Sequence, residues 1–299
     1  MIDTKYESLL AAAEYKNFTK AAESLNLTQP AVSHHIALIE EELGAQVFIR
    51  GKKQLTLTPQ GEIVVRYARQ IRSMYTKLRD EIYNFDKNRT KLRVGITHTE
   101  ESGVAAQVFT KVCSIFDGLS ISITTNNIKN LYDMLDNYEL DMAIVNGTPH
   151  NPRLSSIMLD TDYLICVASP ASDLAGRPMV DLNELKTRSM ILRPSTSATR
   201  SLFESTLSGI GDSIENFNIM IEVDSLTTIK NLVMKNMGIS ILPKSACAKE
   251  LAAGTLKQIP IENVNMMRET KLVYAKDFSR RDILETIVDV YQHRERHLS

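Results

Sequence analysis

A polar helix face near the N-terminus carries side chains suited to reading DNA bases. Thr28 precedes Gln29 and Pro30, a pattern typical of a helix start with a capping hydroxyl and a proline in the first turn. Ser33 and His34 follow on the side opposite an apolar stripe. This face is small, hydrogen-bonding and largely uncharged, so it can lie in the major groove, where base edges present donors and acceptors. We predict that these residues contact DNA.

A basic hairpin strengthens this interpretation, because two amphipathic helices joined by a turn are common in any α-rich domain. Two short strand-like runs, residues 47–50 and 54–57, flank a basic tip. Cations in a hairpin after a helix-turn-helix are typical of a wing that contacts phosphates. We predict that Arg50, Lys52 and Lys53 contact the backbone of double-stranded DNA.

Hydroxyl and amide side chains recur at the ends of predicted strands in the rest of the chain. Ligands of open α/β sheets bind beyond the carboxyl ends of strands, where helix N-termini converge. Such side chains can hold a small anion by hydrogen bonds, although each one alone is better explained as a helix cap or turn former. As a group they predict an effector site, which a helix starting near Glu100 would face with its N-terminus. The predicted effector-binding residues are Thr97, His98, Thr99, Asn127, Thr148, Ser195, Thr196, Thr199 and Arg200.

Neither an enzyme nor a metal or cofactor site is predicted. The sequence contains no GxSxG, Walker-type glycine loop, HExxH or CxxC motif. Cys113, Cys166 and Cys247 lie in separate segments, which indicates a reducing compartment and no disulfide framework. No signal peptide is recognised, and no apolar run approaches the ~20 residues needed to span a bilayer. We expect a cytoplasmic protein.

The DNA-reading residues require a helix-turn-helix and the hairpin after it. Val32, Ile36, Ile39 and Leu43 form the apolar stripe of the second helix. Thr19 is a candidate cap for the helix before it, and residues 3–15 form a further helix that packs beneath.

A long helix is predicted from Pro59 to about Lys87. Its apolar residues recur with the spacing of coiled-coil a and d positions, which favours a dimer seam over packing on its own domain. The predicted seam consists of Val64, Ala68, Ile71, Tyr75, Leu78, Ile82 and Phe85.

From Lys91 onward, strand-like and helical runs alternate, which indicates parallel sheets covered by helices. Strands are predicted at residues 92–96, 120–125, 142–145, 157–159, 163–168, 189–192, 217–223, 239–242 and 271–274. Helices are predicted at residues 104–116, 131–138, 226–236 and 280–296, and near residues 200–209.

Residues 21–61 resemble the N-terminal domain of LysR-type transcriptional regulators. The resemblance rests on AAESLNLTQPAVSHHIALIEEELGAQVFIR followed by LTLTPQG, and its most diagnostic block is QPAVS at residues 29–33. Members often carry Arg or Gln after the serine, where this chain has His34 and His35. The resemblance implies an N-terminal all-α winged helix-turn-helix (1–58), a dimerising linker helix (59–90) and an effector-binding domain (91–299).

The resemblance further implies that the effector-binding domain is α/β and two-lobed, similar to periplasmic binding proteins. Lobe I is predicted at residues 91–161 and 268–299, and lobe II at residues 162–267. The predicted function is sequence-specific transcription regulation controlled by a small-molecule effector, which is expected to be anionic. The implied assembly is a homodimer through the linker helix that pairs into a homotetramer and contacts RNA polymerase. The alternative is a redox-responsive regulator that senses through Cys113 or Cys166.

Overall fold

The computed structural model describes residues 3–50, 55–85, 89–101, 104–147, 149 and 151–293. Contacts divide the chain into two compact units: Met1–Thr90 with Asp136–Glu139, and Lys91–Leu135 with Leu140–Ser299. Within the described residues, no helix is long and apolar enough to cross a membrane.

The N-terminal unit consists of helices around a small hairpin. Its elements are α1 (Thr4–Tyr15), α2 (Phe18–Ser24), α3 (Gln29–Leu43), β1 (Phe48–Arg50), β2 (Leu55–Leu57) and α4 (Pro59–Phe85). The two strands pair antiparallel, with Phe48 opposite Leu57. The helix-turn-helix and its following hairpin, which the sequence predicted, are confirmed.

Local side chains fix the ends of the helices in the helix-turn-helix. The Asn17 side chain caps α2 by accepting hydrogen bonds from the backbone N–H groups of Thr19 and Lys20 at 2.8 and 3.1 Å. The predicted cap at Thr19 is therefore wrong, because α2 already begins at Phe18. The predicted cap of α3 is correct: Thr28 Oγ1 accepts a hydrogen bond from the N–H of Ala31 at 3.3 Å.

The apolar side of α3 packs into the core of the N-terminal unit. Val32, Ile36 and Ile39 are all fully buried there, together with residues of α1 and α2. Glu40 joins this helix to the hairpin, since its Oε1 accepts hydrogen bonds from the N–H groups of Val47 and Phe48 at 2.7 and 3.2 Å. The core thus turns the opposite side of α3 outward.

The predicted seam along α4 needs a correction in its first half. Val65 and Ala68 are buried in the core of the N-terminal unit, and Val64 packs against it. The first turns of α4 contact α1, and burial of Ala68 removes it from a seam with a partner helix, whereas Val64 is half-buried. An exposed apolar stripe instead comprises Ile63, Tyr67, Ile71, Met74, Leu78, Ile82 and Phe85. We call these residues the α4 stripe.

The C-terminal unit contains the alternating elements. Its strands are β3 (Thr90–Thr97), β4 (Leu119–Asn126), β5 (Met142–Asn146), β6 (Leu154–Ala168), β7 (Met190–Leu192), β8 (Ile219–Glu222), β9 (Ser240–Pro243), β10 (Lys257–Ile259) and β11 (Met267–Ala275). Its helices are α5 (His98–Glu101), α6 (Ala105–Ile115), α7 (Ile128–Asp136), α8 (Leu182–Lys186), α9 (Ala198–Gly209), α10 (Leu226–Met234), α11 (Ala248–Ala252) and α12 (Arg281–Gln292).

The main sheet is mixed, whereas the sequence predicted parallel sheets. The order of its strands is β10-β6-β11-β5-β3-β4, and β9 also pairs with β6. Strands β3 and β5 run parallel, but β11 runs antiparallel to both β5 and β6. The two strands predicted at residues 157–159 and 163–168 are one strand of 15 residues. The strand continues because its first half pairs with β11 and its second half with β9 and β10.

Each lobe of the unit has a main hydrophobic core and a second, smaller cluster among the described residues. The lobe I core contains Val94, Phe109 and Ile144, and the lobe II core contains Leu192 and Phe203. Strand β6 passes from one core to the other, since Leu159 lies in the lobe I core and Cys166 in the lobe II core. The chain returns through β11, since Met266 just before it lies in the lobe II core and Leu272 within it lies in the lobe I core. The predicted two-lobed α/β fold is confirmed.

Candidate functional site

The face of α3 that points away from the core presents the predicted base-reading residues. Gln29, Pro30 and His34 are exposed, and Ser33 is half-buried. Thr28 is exposed at the start of the helix, where it serves as the cap. A helix with a free polar face beside a hairpin fits the major groove.

The two adjacent histidines have different surroundings. His34 is exposed, whereas His35 is half-buried and its Nδ1 lies 2.8 Å from Ser8 Oγ on α1. The exposed side of α3 therefore presents His34, whereas the His35 ring contacts α1.

The predicted phosphate contacts fall largely outside the described part of the chain. Lys52 and Lys53 lie outside the described residues, and Arg50 contributes its backbone to β1. The two described strands of the hairpin bring residues 50 and 55 opposite each other. The basic tip therefore stays a sequence prediction.

A cavity of about 230 Å³ lies between lobe I and lobe II. It is lined by Thr97, His98, Thr99, Asn126, Asn127, Ile128, Arg193, Pro194, Thr196, Ser197, Ala198, Thr199 and Asp224. The predicted effector residues that it brings together are Thr97, His98, Thr99, Asn127, Thr196 and Thr199. Ser195 and Arg200 do not line it, and Thr148 lies outside the described residues.

Two helices from opposite lobes begin at this cavity. In lobe I, α7 starts at Ile128, and Asn127 Oδ1 accepts a hydrogen bond from the N–H of Asn130 at 2.9 Å. In lobe II, α9 starts at Ala198 behind Ser197, which caps it. Helix N-termini carry free N–H groups and a partial positive charge, so both walls of the cavity favour an anion.

The long helix that we predicted to start near Glu100 starts later in the chain. Residues 98–101 form only the short helix α5, and the longer helix α6 begins at Ala105. The Glu100 carboxylate is buried, with Oε1 3.5 Å from Arg268 Nη2 and Oε2 accepting a hydrogen bond from the Tyr291 hydroxyl at 3.3 Å. Burial raises the pKa of Glu100, and the charge of Arg268 opposes this increase. Glu100 does not line the cavity, so it does not compete there with an anionic ligand.

Buried hydrogen bonds connect the lobe I wall of the cavity to the strands that join the lobes. Thr97 Oγ1 and Thr99 Oγ1 lie 3.1 Å apart, and Thr99 Oγ1 donates to Asn146 Oδ1 at 2.9 Å. Arg268 on β11 donates from Nη1 to the same Asn146 oxygen at 2.9 Å. The hydroxyls at the cavity therefore share a network with the second crossover strand.

The two crossover strands are themselves joined by a buried ion pair. Arg268 Nη2 and Nε donate to Asp162 Oδ2 on β6 at 2.9 and 3.1 Å. Ser245 Oγ donates to the same carboxylate oxygen at 2.7 Å. Arg268 and Asp162 are both nine-tenths or more buried.

Sequence reasoning missed Arg193, which lines the lobe II wall directly after β7. Its side chain is only 3% exposed, and Nη2 donates to Asp224 Oδ1 at 2.6 Å. Burial lowers the pKa of Arg193, and Asp224 opposes this effect. The signal was its position at the end of a predicted strand, the criterion that selected the other loops.

Arg200 was predicted to bind the effector, but its guanidinium pairs with two carboxylates away from the cavity. Its Nε donates to Glu204 at 2.6 Å and its Nη1 to Glu222 at 3.3 Å. The i,i+4 spacing on α9 holds Arg200 against Glu204, on a side of the helix that does not line the cavity.

The three thiols belong to separate packing clusters. Cys166 lies in the lobe II core, Cys247 lies in a second lobe II cluster, and Cys113 packs against the lobe I core. Burial raises the pKa of Cys166 and of Cys247 to about 12, and it also raises the pKa of Cys113. Because the thiolate is the reactive form, these surroundings disfavour redox sensing.

Comparisons with known proteins agree with both halves of this description. Residues 4–62 match the family described as bacterial regulatory helix-turn-helix protein, lysR family, and residues 86–295 match the LysR substrate binding domain. The regulator CbbR of Rhodospirillum rubrum is 29% identical over 93% of this chain and 91% of its own. CysL of Bacillus subtilis is 26% identical over 90% of this chain and 89% of its own.

Solved structures share the fold. Full-length CbnR, complexed with its target DNA, gives a TM-score of 0.66 at 18% identity and covers 98% of this chain and 99% of its own. The regulatory domain of CcmR from Synechocystis, in complex with 2-PG, gives 0.61 at 20% identity and covers 68% of this chain and 98% of its own. The family matches together span most of the chain and include both its DNA-binding and its effector-binding domain. The chain therefore belongs to the LysR family and is a transcriptional regulator whose N-terminal domain binds DNA and whose C-terminal domain responds to a small molecule.

Proposed function

We propose that the effector of this regulator is a small anion bound in the cavity between lobe I and lobe II. The observation that carries the proposal is the pair of helix N-termini, of α7 and α9, that face one cavity from opposite lobes. A ligand that contacts both walls favours one arrangement of the lobes over others, and so it shifts the conformational equilibrium. The cavity volume of about 230 Å³ suits a small carboxylate.

We further propose a homodimer that forms through the α4 stripe. The α4 stripe exposes apolar side chains along a 27-residue helix. A large exposed apolar surface is unfavourable in water and typically marks a site where a partner binds. Two dimers would pair into a homotetramer through the C-terminal domains, and rearrangement of the tetramer would change DNA bending or contact with RNA polymerase. The proposed location is the cytoplasm, where a regulator of this family meets DNA. The proposed role is regulatory and not enzymatic.

The effector proposal is tested with the anion malonate and its neutral analogue malonamide. Malonate is expected to raise the melting temperature of the full chain in a saturable manner, because a ligand that binds only the folded state stabilises it. Malonamide is expected to have no such effect. Thr196→Val should weaken malonate binding by roughly 1–3 kcal/mol. Thr196 is exposed in the cavity, and loss of its hydroxyl would leave a ligand oxygen without a donor.

Thr227→Val is the matched control, because Thr227 is an exposed lobe II threonine that does not line the cavity. Its malonate affinity should equal that of the wild type. Thr99→Val is a poorer variant, since Thr99 Oγ1 is already engaged with Asn146. Equal malonate affinity in the Thr196 and Thr227 variants would show that the hydroxyls act only as caps and turn formers.

The DNA-binding assignment predicts different losses for Gln29 and Lys53. Gln29→Ala should cost roughly 1–3 kcal/mol at a site selected from random DNA and little on non-specific DNA, because Gln29 is exposed at the start of α3 and reads bases. Lys53→Ala should weaken binding to all DNA alike and flatten the salt dependence. Fluorescence anisotropy at several salt concentrations measures both effects. Equal losses on selected and random DNA for Gln29→Ala would exclude the base-reading role.

A further inference from the structure

Arg193 is a buried cation whose hydrogen bonds are incomplete. Within the described part of the chain, its Nε and Nη1 have no hydrogen-bond acceptor, and both atoms are inaccessible to solvent. Its third nitrogen, Nη2, is taken by Asp224, whose side chain is 62% exposed. A guanidinium with donors left unsatisfied in a desolvated place costs free energy, so it strongly attracts a further anion.

A second unsatisfied donor lies on the same wall. Thr199 is buried in the first turn of α9, and its Oγ1 has no partner among the described residues. Both Thr199 and Arg193 line the cavity, beside the N-terminus of α9. The lobe II wall therefore offers a charged fork, a hydroxyl and free N–H groups to a single ligand.

Asp224 engages one nitrogen of Arg193, and both residues line the cavity. Its Oδ1 accepts from Arg193 within lobe II, and its Oδ2 lies 4.0 Å from Nε2 of His98 in lobe I. The carboxylate of Asp224 thus lies between Arg193 of lobe II and His98 of lobe I.

We propose that Arg193 is the residue that binds the effector's carboxylate, and that Asp224 is an internal carboxylate that the effector displaces. This inference rests on the proposed anionic effector and specifies its chemical class and its point of attachment. A planar carboxylate matches the guanidinium fork with two parallel hydrogen bonds, which a tetrahedral anion matches less closely. When the ligand displaces Asp224, the contact between Asp224 and His98 is lost and the ligand contacts the lobe I wall instead. The contacts between the lobes then differ with and without the ligand, as a conformational switch requires.

The test measures thermal shifts of the full chain with malonate, acetate and inorganic phosphate at constant ionic strength. Arg193→Gln is expected to weaken malonate binding roughly ten- to a hundredfold, because a charge-assisted hydrogen-bonded pair is lost. Asp224→Asn is expected to strengthen it by at least severalfold, because the competing charge is removed. Asp224 is exposed, so this second variant is expected to fold even if Arg193→Gln does not.

Arg188→Gln is the matched control, because Arg188 is a lobe II arginine that pairs with Asp173 and does not line the cavity. Its affinity for malonate should be unchanged. If Arg193→Gln keeps the wild-type affinity, or if Asp224→Asn does not gain affinity, this inference fails while the effector proposal stands. A response to phosphate but not to malonate or acetate would overturn the carboxylate class. If none of the three anions shifts the wild type, the anionic effector and this inference fail together.

Discussion

Leu78→Glu is expected to abolish dimer formation and to reduce operator binding by orders of magnitude. Leu78 is 51% exposed in the single chain and lies in the middle of the α4 stripe, between Met74 and Ile82. In a dimer, the substitution would bring two like charges into a desolvated seam, where neither finds a partner. Because each half-site is bound by one subunit, loss of the dimer also removes the joint contribution of two recognition helices.

Sedimentation of the full chain gives the direct measurement, and DNA binding gives the functional one. Thr76→Glu is the matched control, since Thr76 is an exposed residue of α4 that lies outside the α4 stripe. It adds the same charge to the same helix and should leave the oligomer intact. An unchanged oligomer in Leu78→Glu would exclude the α4 stripe as the dimer seam.

Arg268→Met is expected to lower the free energy of unfolding by roughly 3–5 kcal/mol, because it removes one partner from a buried ion pair. Asp162 and Glu100 are both buried and would lose the cation that lies 2.9 and 3.5 Å from them. Urea unfolding of the full chain, followed by circular dichroism, measures the loss. Arg188→Met is the control, because Arg188 and Asp173 form a surface ion pair, 32% and 59% exposed, that should contribute at most ~1 kcal/mol.

The loss in Arg268→Met should depend on pH in a definite direction. Burial already raises the pKa of Glu100, and the charge of Arg268 holds it down, so removing Arg268 raises this pKa further. Above the raised pKa the folded variant contains an unpaired buried carboxylate, whereas below it Glu100 is neutral. The destabilisation should therefore be larger at about pH 8 than at about pH 5.5. An equal loss at both values would show that Glu100 does not contribute.

The same substitution is expected to weaken the response to malonate. Arg268 hydrogen-bonds Asn146, which in turn accepts from Thr99 at the cavity wall. Its effect on ligand binding would therefore be indirect, through the position of the lobe I hydroxyls.

The spacing of apolar residues and the capping residues at helix starts were sufficient to predict much of this protein's structure. Val32, Ile36 and Ile39 of the predicted stripe are buried, although Leu43 at the end of the helix is exposed, and Thr28 caps α3 as the sequence predicted. Each of these features depends on residues within a few positions along the chain, so local sequence is sufficient. The positions of Thr97 and Asn127 at one cavity followed from a similarly general rule about the ends of strands.

Tertiary packing decided which side of a helix was available. The heptad pattern along α4 admits two neighbouring stripes, and only contact with α1 shows that Ala68 is used within the N-terminal unit. The same holds for β6, where a polar interruption suggested two strands. Hydrogen bonds to β11 and then to β9 and β10 keep the backbone extended through it.

The sequence determined that hydroxyl and amide side chains line the candidate effector site, and the tertiary structure decided which arginine lies there. Arg193 and Arg200 flank the same hydroxyl-rich loop, and their types and spacing do not distinguish them. Arg200 is turned toward Glu204 and Glu222, whereas Arg193 meets Asp224 at the cavity. Local sequence fixes which residues are neighbours along the chain, but the direction of a long charged side chain depends on the distant carboxylates that folding brings within its reach.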